Sequence, residues 1–176
     1  IQARIPNREV LRIFQSKIRK WFEETLPDFQ AKALYQALED TNPQRVQQML
    51  NDKFLSAMNY FDSIEAFYHG VMLTLLQLNS EYVCVSHRES GSGRFDMACK
   101  QKKNWDIAFV FEFKVMDDPK NMQVAVEEAV RQIEEKAYVT DLQREGYRKI
   151  ITYGFCFCEK RCRVALGKVL EKEESA

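Results

Sequence analysis

Three residues in the middle of the chain, Asp96, Glu112 and Lys114, have side chains and spacing suited to chemistry at a phosphate. In the stretch 107–115 the residues alternate, so Phe109, Phe111, Phe113 and Val115 share one face of a strand. Ala108, Val110, Glu112 and Lys114 share the other. An anion and a cation on an otherwise apolar face are expensive to bury singly, which points to pairing, a solvated cleft or a bound metal. Asp96 lies eight residues before Asn104 and Glu112 eight after it, so a turn around Lys102-Lys103-Asn104 sets the two carboxylates opposite each other. Directly opposed antiparallel residues have Cβ atoms roughly 5 Å apart, where two carboxylates repel unless a proton or a cation bridges them. A set of oxygen ligands suits Mg2+ or Mn2+ better than zinc. The matching chemistry is phosphodiester hydrolysis: a metal held by Asp96 and Glu112 polarises a phosphoryl oxygen and activates water, and Lys114 orients that water or stabilises developing charge. The competing reading is a solvated sheet face with a cross-strand ion pair, a contribution of only about 0.2–1 kcal/mol.

The elements that must position these residues follow from period and punctuation. Apolar residues at Val10, Leu11, Phe14, Ile18, Trp21 and Phe22 recur at the helical period, and Asn7 after Pro6 is placed to cap a helix over residues 7–26. Further helices are predicted over 28–38 and from Pro43 to about Phe54, separated by the turn-forming Asp40-Thr41-Asn42-Pro43. Ser63 can cap a helix through Glu65, Tyr68, Val71, Leu75 and Leu78, after which the period becomes that of strands. Residues 82–86, 95–99 and 107–115 are predicted as strands, the last two forming a hairpin, and 87–93 as a polar loop. A helix over 123–138 and a hairpin of 149–158 with 162–166 complete the series. This order predicts an α+β domain, a mixed sheet flanked by helices. Residues 1–60 read as a helical subdomain or linker region, and 61–176 as the domain that carries the chemistry.

Several of these segments together resemble a known family. They are Glu65 in Glu-Ala-Phe-Tyr-His-Gly, the run Arg88 to Asp96, Glu112-Phe113-Lys114, and Gln132 in Arg-Gln-Ile-Glu-Glu-Lys-Ala-Tyr. The chain is similar to the PD-(D/E)XK nuclease superfamily domain found at the C-terminus of bacterial proteins that carry an AAA-like ATPase region upstream. The opening Ile5-Pro6-Asn7-Arg8-Glu9-Val10 resembles the segment that joins the two regions. The resemblance implies a restriction-endonuclease-like core and a nuclease acting on nucleic acid, with DNA the expected substrate and the ATPase region a partner within the full-length protein. It implies that Glu65 completes the metal shell, directly or through water, and that Gln132 faces the site from the helix after the hairpin. Phe95 stands where the family's proline would precede Asp96, which changes backbone preference more than chemistry. Tyr138 lies six residues after Gln132, unlike the tighter Gln-to-Tyr spacing of RecB-like nucleases, which puts a role for Tyr138 in doubt. The alternative function is a catalytically inactive nuclease-fold module that binds or regulates, attached to an ATPase.

Other residues carry less. His69, four residues after Glu65 on one helical face, could touch the site or hydrogen-bond the Glu65 carboxylate, and the second, supporting role is the one expected. Arg94, beside Asp96, and Arg88 are candidate phosphate contacts, with solvated loop arginines as the competing reading. His87 reads as a surface residue and Lys100, Lys102 and Lys103 as a soluble basic turn. Cys156, Cys158 and Cys162 lack a fourth zinc ligand nearby and read as reduced core cysteines.

Composition sets the remaining bounds. With 176 residues, 45% of them hydrophobic and 30% charged, the chain is long enough for one packed domain and too apolar for disorder. Formal net charge is zero, from 26 basic and 26 acidic residues, so no whole-chain field advertises a polyanion, although a local basic rim can still track phosphates. Five cysteines and no leader-like N-terminus predict neither a disulfide framework nor secretion, hence a cytoplasmic protein. The most apolar stretch, near Val71 to Leu78, is far too short to span a membrane. The first residue is Ile1 rather than Met, as expected of a fragment of a longer chain or of a trimmed N-terminus.

Overall fold

The computed structural model describes residues 20, 24, 31–55, 65–86, 96–103, 106–135 and 138–172. The helix expected over 7–26 lies outside them, except that Lys20 and Glu24 are helical and paired at 3.7 Å. Helix α1 (Ala31–Glu39) is followed by α2 (Pro43–Met49), whose Asn42 cap accepts the Arg45 N–H at 2.9 Å and whose first residue is the proline. A π-helical turn, Leu50–Phe54, continues α2. Helix α3 (Glu65–Gln77) leads into β1 (Tyr82–Ser86), β2 (Met97–Gln101) and β3 (Ile107–Val115). A 3-10 turn at Pro119–Asn121 then opens α4 (Met122–Glu135), followed by α5 (Tyr138–Arg144), β4 (Lys149–Cys158) and β5 (Arg161–Glu171).

The five strands lie in the order β1-β2-β3-β4-β5, antiparallel except for the parallel pair β3 and β4, whose ends α4 and α5 connect. This is the expected α+β architecture with a mixed sheet. Alternation along β3 decides which face each residue takes. Phe109, Phe111 and Phe113 join Tyr153, Phe155 and Phe157 of β4 in one aromatic layer, covered by Leu34, Tyr35 and Leu38 of α1, Val46 of α2, and Tyr68, Met72 and Leu75 of α3. Two buried hydroxyls bind backbone there: Tyr153 donates to Leu38 O at 2.8 Å and Tyr35 to Leu76 O at 3.1 Å. On the opposite face Ala98, Ala108, Val110 and Ile150 pack against Ile133, Leu142 and Tyr147, and Cys156 and Cys158 against Met122, Ala125 and Val126. Small residues there let the helices sit close. A Cβ on Gly154 would meet the Val126 carbonyl oxygen at 2.7 Å and the Ala129 Cβ at 3.1 Å, so α4 rests directly on β4 at that point.

Three expectations are corrected. The second strand begins at Met97, and Asp96 is a bend residue just before it, because its carboxylate rather than its backbone meets β3. The helix expected over 123–138 is described over Met122–Glu135, and residues Tyr138–Arg144 are helical before the positive-φ Gly146. The last strand extends from Arg161 to Glu171 rather than over 162–166, across an irregularity at Ile151/Tyr153 where Thr152 Oγ1 accepts the Lys168 N–H at 2.7 Å. Cys84 and Cys99 are joined in a disulfide where none was expected; they sit directly opposite each other on β1 and β2, with Cα atoms 4.0 Å apart. Tyr35 OH lies 3.2 Å from Cys84 Sγ. Cys156, Cys158 and Cys162 are free and buried.

The outer side of β5 is met by two amide side chains. Asn51 accepts the Cys162 N–H at 2.7 Å and donates to the Cys162 carbonyl at 3.1 Å, and Gln47 accepts the Val164 N–H at 3.1 Å. No helix of the described residues is long and apolar enough to cross a membrane.

Candidate active site on the β2–β3 hairpin

The ladder between β2 and β3 pairs Met97 with Phe111, Ala98 with Val110, Cys99 with Phe109 and Lys100 with Ala108. Continued one step beyond Met97 and Phe111, that register would bring Asp96 opposite Glu112, although Asp96 itself is a bend residue outside the ladder. The ladder keeps Glu112 off the aromatic face, and Asp96, one residue outside the ladder, meets β3 through its carboxylate. Asp96 is half-buried, and its Oδ2 accepts the Phe113 N–H at 2.9 Å, capping a peptide group that the end of β2 leaves uncovered. Glu112 is 4% exposed, on the same face as Ala108 and Val110, and pairs with Gly154 across the parallel ladder to β4. Gly154 has no side chain to separate Glu112 from α4.

Lys114, two residues on along that face, is half-buried and donates from Nζ to Gln132 Oε1 at 2.7 Å. Gln132 thus does reach the cation from the helix after the hairpin. Its Nε2 donates in turn to Glu128 Oε1 at 3.3 Å, one helical turn earlier, and Glu128 Oε2 is bound by the Arg131 guanidinium. Those hydrogen bonds from Arg131, with smaller help from Gln132 and Lys114, hold the Glu128 carboxyl below the usual carboxylate range. Glu128 is absent from the residues singled out by motif; its only signal in the sequence is its place four residues before Gln132 on one helical face.

His69 approaches from the other side of the sheet. It is 6% exposed, its ring stands edge-on to Phe113 at 5.6 Å, and Nε2 lies 2.9 Å from the Asp96 carbonyl oxygen and 3.2 Å from Ser86 Oγ. A carbonyl can only accept, so Nε2 carries the proton and donates to it. His69 thus ties α3 to the backbone of Asp96 and to the end of β1. Glu65, half-buried, lies one turn before His69 on α3. Arg88, Arg94 and His87 lie outside the described residues.

Among the described residues no three His, Cys, Asp or Glu side chains are gathered into a group able to hold a metal by protein atoms alone. The donor set nonetheless fits a hard cation, because Mg2+ keeps several waters and takes only one or two carboxylates from its protein. Asp96 and Glu112 are such a pair. The three free cysteines are divided between the two sheet faces, Cys156 and Cys158 under α4 and Cys162 in the aromatic layer. Burial pushes the Cys156 thiol up to about 11 and raises the other two, the reverse of what thiolate ligation requires.

The ordered set of Asp96, Glu112 and Lys114 on one hairpin, with Gln132 on the following helix, coincides with a family profile: the PD-(D/E)XK nuclease superfamily matches residues 63–166. The chain belongs to the PD-(D/E)XK nuclease superfamily. Its sheet and flanking helices are the restriction-endonuclease-like fold of that superfamily. Compared with curated proteins, the chain gives no match.

Proposed function

We propose that this PD-(D/E)XK domain is a metal-dependent nuclease that hydrolyses phosphodiester bonds in nucleic acid, with DNA as substrate and Mg2+ or Mn2+ as the ion. The observation that supports this reading is the β2–β3 hairpin, where Asp96 meets β3 through the Phe113 N–H just beyond the ladder and Glu112 and Lys114 share one face of β3. Asp96 and Glu112 would hold the ion, Asp96 through Oδ1 because Oδ2 accepts the Phe113 N–H. Glu65 on α3 would complete the shell directly or through water. The bound ion supplies Lewis acidity toward a phosphoryl oxygen and a water of lowered pKa.

Lys114 has three N–H donors, of which Gln132 takes one, leaving two for the attacking water and for charge developing on the phosphoryl oxygens. Gln132 acts by holding that ammonium. His69 fixes the Asp96 backbone so that the carboxylate keeps its aim. Arg94 and Arg88 would contact phosphates on either side of the scissile bond. In the full-length protein we place an ATPase region upstream of this domain, in a bacterial cytoplasmic setting.

One observation favours a second reading, a nuclease-fold module that binds nucleic acid or a protein partner without turnover: half of the Asp96 carboxylate is committed to capping the Phe113 N–H. Turnover assays separate the two. Purified protein with Mg2+ or Mn2+ should cleave single- or double-stranded DNA, and Asp96→Ala, Glu112→Ala and Lys114→Ala should each abolish cleavage while leaving the circular dichroism spectrum unchanged. If the parent chain, alone or with its ATPase region restored, binds nucleic acid but cuts neither DNA nor RNA, the binding-module reading replaces this one. Cleavage that persists unchanged in all three variants belongs to a contaminant.

A further inference from the structure

Helix α4 carries two side chains, Glu128 and Gln132, linked in series to Lys114, with the exposed Arg131 on the other oxygen of Glu128. Arg131 binds Glu128 Oε2, Glu128 Oε1 accepts from Gln132 Nε2 at 3.3 Å, and Gln132 Oε1 accepts from Lys114 Nζ at 2.7 Å. The two ends determine how the middle lies. A carboxylate can only accept and an ammonium can only donate, so the Gln132 amide has one orientation that satisfies both, NH2 toward Glu128 and oxygen toward Lys114. Lys114 calls for the amide oxygen at one end, and Glu128, by accepting from the NH2, pins the other end and so fixes where that oxygen lies. A neutral amide placed between the charges also keeps Lys114 from closing directly onto the carboxylate, where an ion pair would compete with a phosphate for the ammonium. The arrangement is built on one helix face, since positions 128 and 132 are one turn apart, and α4 is itself seated on β4 at Gly154.

We propose that Glu128 is a positioning residue for Lys114, acting through the side-chain amide of Gln132. The kinetic part of this proposal rests on the nuclease reading; the structural part does not. The test uses the full 176-residue chain, isotope-labelled, in the parent form and as Glu128→Ala, Glu128→Gln and Arg131→Ala, with thermal unfolding to show that each is folded. Glu128→Ala should move both the Gln132 side-chain amide resonances and the Lys114 ε-methylene resonances. Glu128→Gln should largely preserve both, because its carbonyl accepts the same N–H and keeps the amide orientation. Arg131→Ala removes the exposed i,i+3 pair and should leave Lys114 where it is. In the cleavage assay Glu128→Ala should lower kcat about tenfold with KM and the Mg2+ midpoint unchanged, and Glu128→Gln should stay near the parent rate.

The proposal is overturned if Lys114 ignores Glu128→Ala while Gln132 responds. It is also overturned if Arg131→Ala reproduces Glu128→Ala, which would mean helix stability alone, or if Glu128→Gln is as damaging as Glu128→Ala, which would mean charge rather than orientation. Should the parent chain cleave no nucleic acid, the nuclease reading falls, and the resonances of Lys114 still decide whether Glu128 positions it.

Discussion

Asp96, Glu112 and Lys114 lie together on the β2–β3 hairpin but should separate in experiment. Asp96→Ala and Glu112→Ala should weaken Mn2+ binding measured by calorimetry, whereas Lys114→Ala should retain it and lose the chemical step, since an ammonium acts on water or phosphate and not on the ion. Equal loss of Mn2+ affinity in all three would mean that Lys114 only shapes the local field. The shared face of Glu112 and Lys114 was legible in the sequence because strand alternation has a period of two, so it follows from counting. Gln132 was legible by resemblance alone. Glu128 was not, since a glutamate on a charged helix face looks like any solvated residue until its hydrogen bond to Gln132 is seen. Nor could counting show that His69 Nε2 meets a backbone carbonyl, because that contact depends on how α3 lies across the sheet.

At the scale of elements, two joints determine where the site sits. The disulfide between Cys84 and Cys99 ties β1 to β2 and closes a loop of sequence separation 15 that contains Arg88, Arg94 and Asp96. Denatured protein should therefore titrate three thiols without reductant and five with it, and Cys84→Ala with Cys99→Ala should lower stability by about 2–3 kcal/mol in urea. Five thiols without reductant would show the pair to be reduced in the purified chain. The second joint is Gly154, where α4 touches β4. Gly154→Ala should cost about 1–3 kcal/mol by overpacking and, by lifting the helix that carries Gln132, slow cleavage as well. The strands and α3 could be read from period and turn residues. The disulfide could not, because pairing 84 with 99 requires the β1–β2 register, and the 87–95 connection gives no symmetric turn from which to count it.

For the whole molecule, burial of titratable groups predicts how stability varies with pH. The Cys156 thiol is pushed up to about 11, Cys158 and Cys162 are raised, and burial likewise raises Tyr35 and Tyr153. These groups stay neutral in the folded chain at pH values where the unfolded chain has already ionised them. The stabilisation is therefore full below the ordinary thiol range, near about 8.5, and declines as pH rises from there through 11. Urea midpoints measured at rising pH across that interval should fall; a midpoint that holds level would mean that the core opens to water before its thiols ionise.

The amides of Asn51 and Gln47 have a consequence for the company the molecule keeps. They occupy the peptide groups of Cys162 and Val164 that an incoming strand would use, so the first half of β5 cannot serve as a template for another chain. Growth of the sheet stops at a helix. With Asn51→Ala and Gln47→Ala together, that stretch becomes bare edge, and concentrated protein should scatter light and form β-rich polymers at a pH where the parent chain stays clear.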